Sequence, residues 1–192
     1  MKIASFKVEN LFLQLRNYKL SDAASLFRLV DSNKEILRDY FPVSVENNSS
    51  VMSSCKYILE RNSDRKNGKS LFAGIFTADG KTLIGQICAK GINWRVPKCE
   101  AGYFLDKNFH GKGLGEAALQ LFSNYCFENL SMQKITLRIE PKNAASNKLA
   151  LKCGFEMIGI AKNDFRSSDG RLMDCELWEK VSTVADNVLV LY

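Results

Sequence analysis

The stretch from Tyr103 to Glu116 reads Tyr-Phe-Leu-Asp-Lys-Asn-Phe-His-Gly-Lys-Gly-Leu-Gly-Glu. It has the pattern of a strand end, a polar loop and a glycine-rich turn opening a helix. Gly111, Gly113 and Gly115 alternate with Lys112 and Leu114. Glycines let backbone approach a ligand and take up positive φ. A helix start adds unpaired N–H groups and a partial positive charge. With His110 and Lys112 as further donors, the segment has the makings of a phosphate cradle. Read alone, it is equally a surface turn, because one glycine motif carries little information. Asn143 and Ser146 stand one turn apart at the start of a later helical pattern. Glu100 precedes the loop by ten residues. Lys148 and Lys152 follow Ser146, either as phosphate contacts or as a solvated face.

These residues need a frame. Leu11 to Arg16 reads as a first strand. Leu20 to Val30 reads as a helix capped by Ser21, with a short continuation from Asn33 to Tyr40. Phe41-Pro42 is read as its terminator, and residues 43–50 as a polar loop. Ser50 to Arg65 forms another amphipathic helix. Leu71 to Thr77 and Leu83 to Trp94 flank the turn signal Asp79-Gly80, with bulges expected at Gly85 and Gly91. Lys98 to Leu105 is the strand that feeds the loop. The helix after it, to Asn129, presents Leu114, Ala117, Ala118, Leu121, Phe122 and Tyr125.

Lys134 to Glu140 alternates strictly between apolar and polar. Asn143 opens a helix to Cys153 that Gly154 ends. Phe155 to Ala161 and Met173 to Val181 make a last hairpin, followed by an apolar tail, 182–192, of unassigned place. The order predicts an α/β (α+β) domain over 1–192. Its core, about 11–181, is one mixed, mostly antiparallel sheet of about 6–7 strands with helices on both faces.

Composition bounds the function. The 192 residues are 46% hydrophobic and 25% charged, with net charge +6. That balance is ordinary for a soluble protein and suits a phosphate-bearing ligand. Basic residues are scattered rather than blocked, which argues against nucleic acid as the partner. Six cysteines are spread singly with one histidine, so a metal site is not expected. No leader or membrane-length apolar run is seen, and a cytoplasmic location with free thiols is expected.

Together the motifs resemble those of the GNAT superfamily of N-acetyltransferases, and within it the Rim-type branch, the ribosomal-protein N-terminal acetyltransferases. His110-Gly-Lys-Gly-Leu-Gly115 resembles the family's pyrophosphate loop, Gln/Arg-x-x-Gly-x-Gly/Ala. Asn143-Ala-Ala-Ser-Asn-Lys-Leu-Ala-Leu-Lys-Cys-Gly-Phe155 resembles its Asn-x-x-Ala/Ser-x-x-Leu-x-x-x-x-Gly-Phe helix. The resemblance implies acetyl-CoA as cosubstrate, no metal, and direct attack by a primary amine in a ternary complex. The acceptor would be a small molecule or a protein N-terminus, and the protein a monomer or homodimer.

The same resemblance implies that Gly111, Lys112, Gly113, Leu114 and Gly115 bind the pyrophosphate through their backbone. Phe104 and Leu105 would pair with the pantetheine arm, and Asn143 would both cap its helix and face that arm. Ser146 would support the leaving thiolate, and Glu100 would act as base, directly or through water. There are two departures. His110 replaces Gln or Arg, and Ala150 stands where many relatives carry a Tyr. A non-catalytic CoA-binding module of the same fold is the alternative. A dinucleotide-binding reading of Gly113-x-Gly115-x-x-Ala118 fails on the polar spacer between strand and glycines.

Overall fold

The protein is described here from a computed structural model that covers residues 2–8 and 11–183. Eight strands form one sheet: β1 (Lys2–Val8), β2 (Leu11–Asn17), β3 (Leu71–Thr77), β4 (Leu83–Asn93), β5 (Lys98–Leu105), β6 (Lys134–Ile139), β7 (Glu156–Arg166) and β8 (Leu172–Val181). Their order is β1-β2-β3-β4-β5-β6-β8-β7. Among the described residues there are six α-helices: α1 (Ala23–Ser32), α2 (Lys34–Tyr40), α3 (Pro42–Asn47), α4 (Val51–Lys66), α5 (Leu114–Leu130) and α6 (Ala144–Lys152).

Two apolar clusters explain the layering. Leu114, Ala118, Leu119, Phe122 and Cys126 of α5 join Ala150 and Cys153 against one sheet face. Leu26, Leu29 and Val30 of α1, Leu37 of α2, and Tyr57 and Ile58 of α4 meet Phe76, Leu83 and Phe104 on the other. Helices therefore cover both faces, as the sequence pattern predicts. The α5 stripe is rotated from the expected one. Leu119, Ser123 and Cys126 are buried where Ala117, Leu121 and Tyr125 are only half-buried. Truncating Phe122, which is fully buried, would cost about 3–5 kcal/mol.

Every strand pairing is antiparallel except β5 with β6. That parallel pairing holds for only three positions, Lys98↔Lys134, Cys99↔Ile135 and Glu100↔Thr136. Beyond Glu100 the two strands part. The rest of β5 keeps β4 on one side and an open edge on the other. This opening in mid-sheet is the feature on which the site is built.

Several local expectations need correction. The sheet has eight strands, because β1 pairs with β2 at the sheet's edge. Phe41-Pro42 ends α2 at Tyr40 as expected, but Pro42 also opens α3, so that 43–47, expected as loop, is helical. Proline fits a first helical turn, where no N–H is needed. Asp22, not Ser21, precedes α1, and its carboxylate instead grips Arg16 at 2.7 and 2.9 Å. The bulges expected at Gly85 and Gly91 both coincide with register shifts. A Cβ on Gly85 would lie 2.6 Å from the Phe104 carbonyl oxygen. Gly154 has φ +77 and ends the last helix as expected. Of the tail, all beyond Thr183 lies outside the described residues.

Candidate active site

The glycine loop forms the first part of the site. Asp106 caps a short turn over Lys107–Phe109 by accepting from Asn108 N at 2.9 Å. Buried Asn33 fastens that turn to the α1–α2 junction. Its Oδ1 accepts from Lys107 N at 2.9 Å, and its Nδ2 donates to Leu29 O at 2.8 Å. Gly111 and Gly113 then adopt φ +74 and +70, a backbone that costs a non-glycine residue roughly 1–2 kcal/mol.

Gly113 is the residue before α5, and no side chain caps that helix. The first main-chain bond into it is Ala117 N to Gly113 O, 3.1 Å. Among the described residues, none accepts from the N–H groups of 111–116. Six N–H groups without a protein partner thus gather at and just before a helix start, where the dipole adds positive potential. Gly115 serves another purpose: a Cβ there would lie 2.8 Å from Leu149 Cδ1, so its absence lets α5 approach α6.

The donors flanking the loop are turned inward. His110 Nε2 lies 3.0 Å from Leu105 O. A carbonyl only accepts, so Nε2 carries the proton. Lys112 Nζ donates to Asn108 O at 3.0 Å and sits 5.2 Å from the Phe109 ring centroid. Lys148 is exposed, whereas Lys152 pairs with Glu116 at 3.2 Å.

β5 forms the second part, and strand parity decides which of its groups are free. Asp106 N donates to Ile84 O at 2.8 Å, and Gly85 stands opposite Leu105. Antiparallel alternation then directs both main-chain groups of Phe104 at Gln86 in β4. Leu105 and Tyr103 turn theirs to the open edge. Phe104 is thus not free to pair with a ligand. Its side chain packs in the core, with its ring 5.4 Å from that of Phe41. The carbonyl of Leu105 is held by His110, and its N–H faces the gap.

α6 forms the third part. Asn143 caps it by accepting from Ser146 N at 3.2 Å. Asn143 and Ser146 both line the cavity between the parted strands, with Glu100, Tyr103, Arg138, Glu140, Tyr40, Phe165 and Met173. Glu100 is not a solitary carboxylate. It pairs with Lys90 at 2.9 Å and with Arg138 at 3.0 Å, and Arg138 also reaches Asp164 at 3.1 Å. This bridge ties β5 to β6 where their ladder ends.

Cys153 is buried and donates to Glu116 O at 3.6 Å, and burial pushes its thiol up to about 11. It is held as a thiol, which is a poor nucleophile. Sequence reasoning assigned no role to Tyr103, Tyr40, Arg138 or Glu140. Tyr103 lay within the stretch that drew attention, but its orientation depends on strand parity. Burial raises the Tyr40 phenol above its usual pKa, and its contact with Glu140 adds to the effect.

A row of bare N–H groups, an open strand edge and a capped helix start thus meet at one split in a sheet. The chain is similar to the Bacillus subtilis probable N-acetyltransferase YjcK, with 27% identity over 155 residues, covering 80% of this chain and 86% of that one. It is also similar to the Escherichia coli [ribosomal protein uS5]-alanine N-acetyltransferase, 28% identical over 77% of this chain and 78% of that one. In fold it matches Mycobacterium smegmatis RimJ in complex with CoA-disulfide. The TM-score is 0.85 at 21% identity, covering 93% of this chain and 86% of that one. The profile of the acetyltransferase (GNAT) domain matches residues 13–156, from β2 through α6 to the start of β7, and so takes in all three parts of the site: the chain belongs to that family.

Proposed function

We propose that this protein moves an acetyl group from acetyl-CoA to a primary amine, with the α-amino group of a protein N-terminus as the preferred acceptor. The observation that carries the reading is the coincidence of two openings. The unpartnered N–H groups of 111–116 suit a diphosphate, and the free edge of β5 beside them suits an extended amide-bearing arm. The CoA bound in the fold neighbour and the alanine acceptor in the uS5-modifying relative support the same direction.

In this reading the glycine loop fixes the nucleotide end. Leu105 and the open edge hold the arm, with His110 releasing the Leu105 carbonyl as the arm arrives. Asn143 and Ser146 border the sulfur. Lys148, exposed on α6, reaches toward the phosphates. Positioning of this kind supplies on the order of 7–11 kcal/mol at best. Glu100 takes the proton from the attacking amine, directly or through water, with Lys90 and Arg138 holding its oxygens in place. Glu140 and Tyr40, at the mouth on the acceptor side, attract a protonated amine, while Phe165 and Met173 offer it an apolar wall. The reading includes a single domain in the cytoplasm.

The test is a panel of peptides with different free N-termini, alongside amino acids and polyamines, each incubated with acetyl-CoA. Free thiol and acetylated product are measured together. The expected result is a peptide acetylated at its α-amino group. No product from any amine, with no heat of acetyl-CoA binding in calorimetry, would overturn it.

A further inference from the structure

Tyr103 sits mid-strand in β5, with its main chain on the open edge and its side chain packed against the α5–α6 cluster. Its phenol oxygen is buried, and among the described residues no hydrogen bond of good geometry closes on it. Besides burial, the groups that act on it are the side chains of Ser146 and Cys153. Both project from the same side of α6 as Ala150, which is fully buried between them. The Tyr103 side chain, coming from the strand, lines the same cavity as Ser146.

Leaving a buried hydroxyl unpaired costs on the order of 1–3 kcal/mol. Such groups call for an explanation, and a role completed only when a ligand is present is one. Ser146 has a fixed backbone, because its N–H is held by Asn143. Its hydroxyl, however, is a free rotor that donates wherever an acceptor offers.

We propose that Tyr103 is a positioning residue that acts through Ser146: its phenol donates to Ser146 Oγ and thereby directs the Ser146 proton out toward the leaving sulfur. This rests on the acetyl-transfer reading above. As the amine nitrogen attacks, the C–N bond forms and the C–S bond breaks. The electron pair stays on sulfur, and the proton lost by nitrogen leaves through Glu100 or water. The thiolate is then stabilised by the Ser146 O–H, whose oxygen is polarised by the donor behind it. Tyr103 keeps its own proton throughout, since burial holds its pKa well above the ordinary phenol value while Ser146 offsets this only in part. The task needs a donor that stays a donor.

The experiment compares CoA with desulfo-CoA, which lacks only the sulfur, on the wild type, Tyr103→Phe, Ser146→Ala and the double variant, by calorimetry from pH 6 to 10. The wild type should prefer CoA, increasingly so as the thiol ionises. Tyr103→Phe should lose about tenfold of that preference with desulfo-CoA affinity unchanged, and the double variant should be no worse than Ser146→Ala. In turnover, Tyr103→Phe should lower kcat about tenfold with KM for acetyl-CoA unchanged. Equal weakening of both ligands would make Tyr103 a packing residue and overturn the proposal, as would an undiminished preference for CoA. A wild type that binds neither ligand would instead bring down the transfer reading itself.

Discussion

The helices α4 and α5 are nearly equal in length, 16 and 17 residues, and begin in opposite ways. At α4, Ser50 accepts from Ser53 N at 3.1 Å, and Ser53 Oγ accepts from Ser50 N at 2.8 Å. Each serine satisfies a donor at the other's end of the turn, so the helix start is closed. At α5, Gly113 has no side chain to offer and the first turn is bare. Against a serine cap, glycine at a helix start costs a few tenths of a kcal/mol. The same polypeptide caps one helix and leaves the other open, so helix formation does not explain the bare start. What separates them is surroundings: α5 begins beside the free end of β5, where a Cβ on Gly115 would lie 3.5 Å from Leu105 Cδ1, and α4 begins at the exposed Ser49 and Ser50.

The sharpest way to break that contrast is to cap α5. Gly113→Asp supplies the missing acceptor, and aspartate tolerates the left-handed backbone better than most residues. Thermal stability should hold. Affinity for acetyl-CoA should fall about 100-fold or more, because the carboxylate occupies the N–H groups and opposes a diphosphate, and like charges brought together cost several kcal/mol. Calorimetry and a melting curve on one sample decide it. Retained affinity would show that the bare helix start is not the anion site.

How much of this was legible depends on whether the controlling signal is local. Gly111, Gly113, Gly154 and the Asn143 cap are fixed by backbone geometry within a turn, and all four stand where the sequence put them. Phe104 was misjudged because strand parity is set by the neighbouring strand, through the Gly85–Leu105 register. The same parity hid Tyr103. β1 escaped because a register irregularity between Lys2 and Ala4 interrupts its alternation, and none of its residues is fully buried. Pro42 sends one local signal with two meanings, an end for α2 and a beginning for α3. Only tertiary packing distinguishes them.

The start of α6 is intermediate between those of α4 and α5. Asn143 closes one donor, the N–H of Ser146, while lining the cavity itself. Asn143→Ala should cost about 1 kcal/mol of stability as a lost cap. If it also holds Ser146 for the reaction, kcat should drop about tenfold. The melting temperature and kcat, measured on the same variant, separate the two roles. Stability lost without turnover would reduce Asn143 to a cap.

Ser50→Ala, the smallest of the three, is the control that gives the others meaning. It removes the closed start of α4, and by the same cap energetics should lower stability by about 1 kcal/mol, a shift of roughly 2–4 °C in Tm for a chain of this size. Ser50 is exposed, so no cavity term adds to the loss. Acetyl-CoA affinity should stay within about twofold, since the cap's effect fades within a turn. Gly113→Asp and Ser50→Ala then form a crossed pair, one altering binding with stability retained and the other the reverse. If Ser50→Ala weakened acetyl-CoA binding as well, the two helix starts would be coupled through the sheet, and a bare start could no longer be read as the mark of a site.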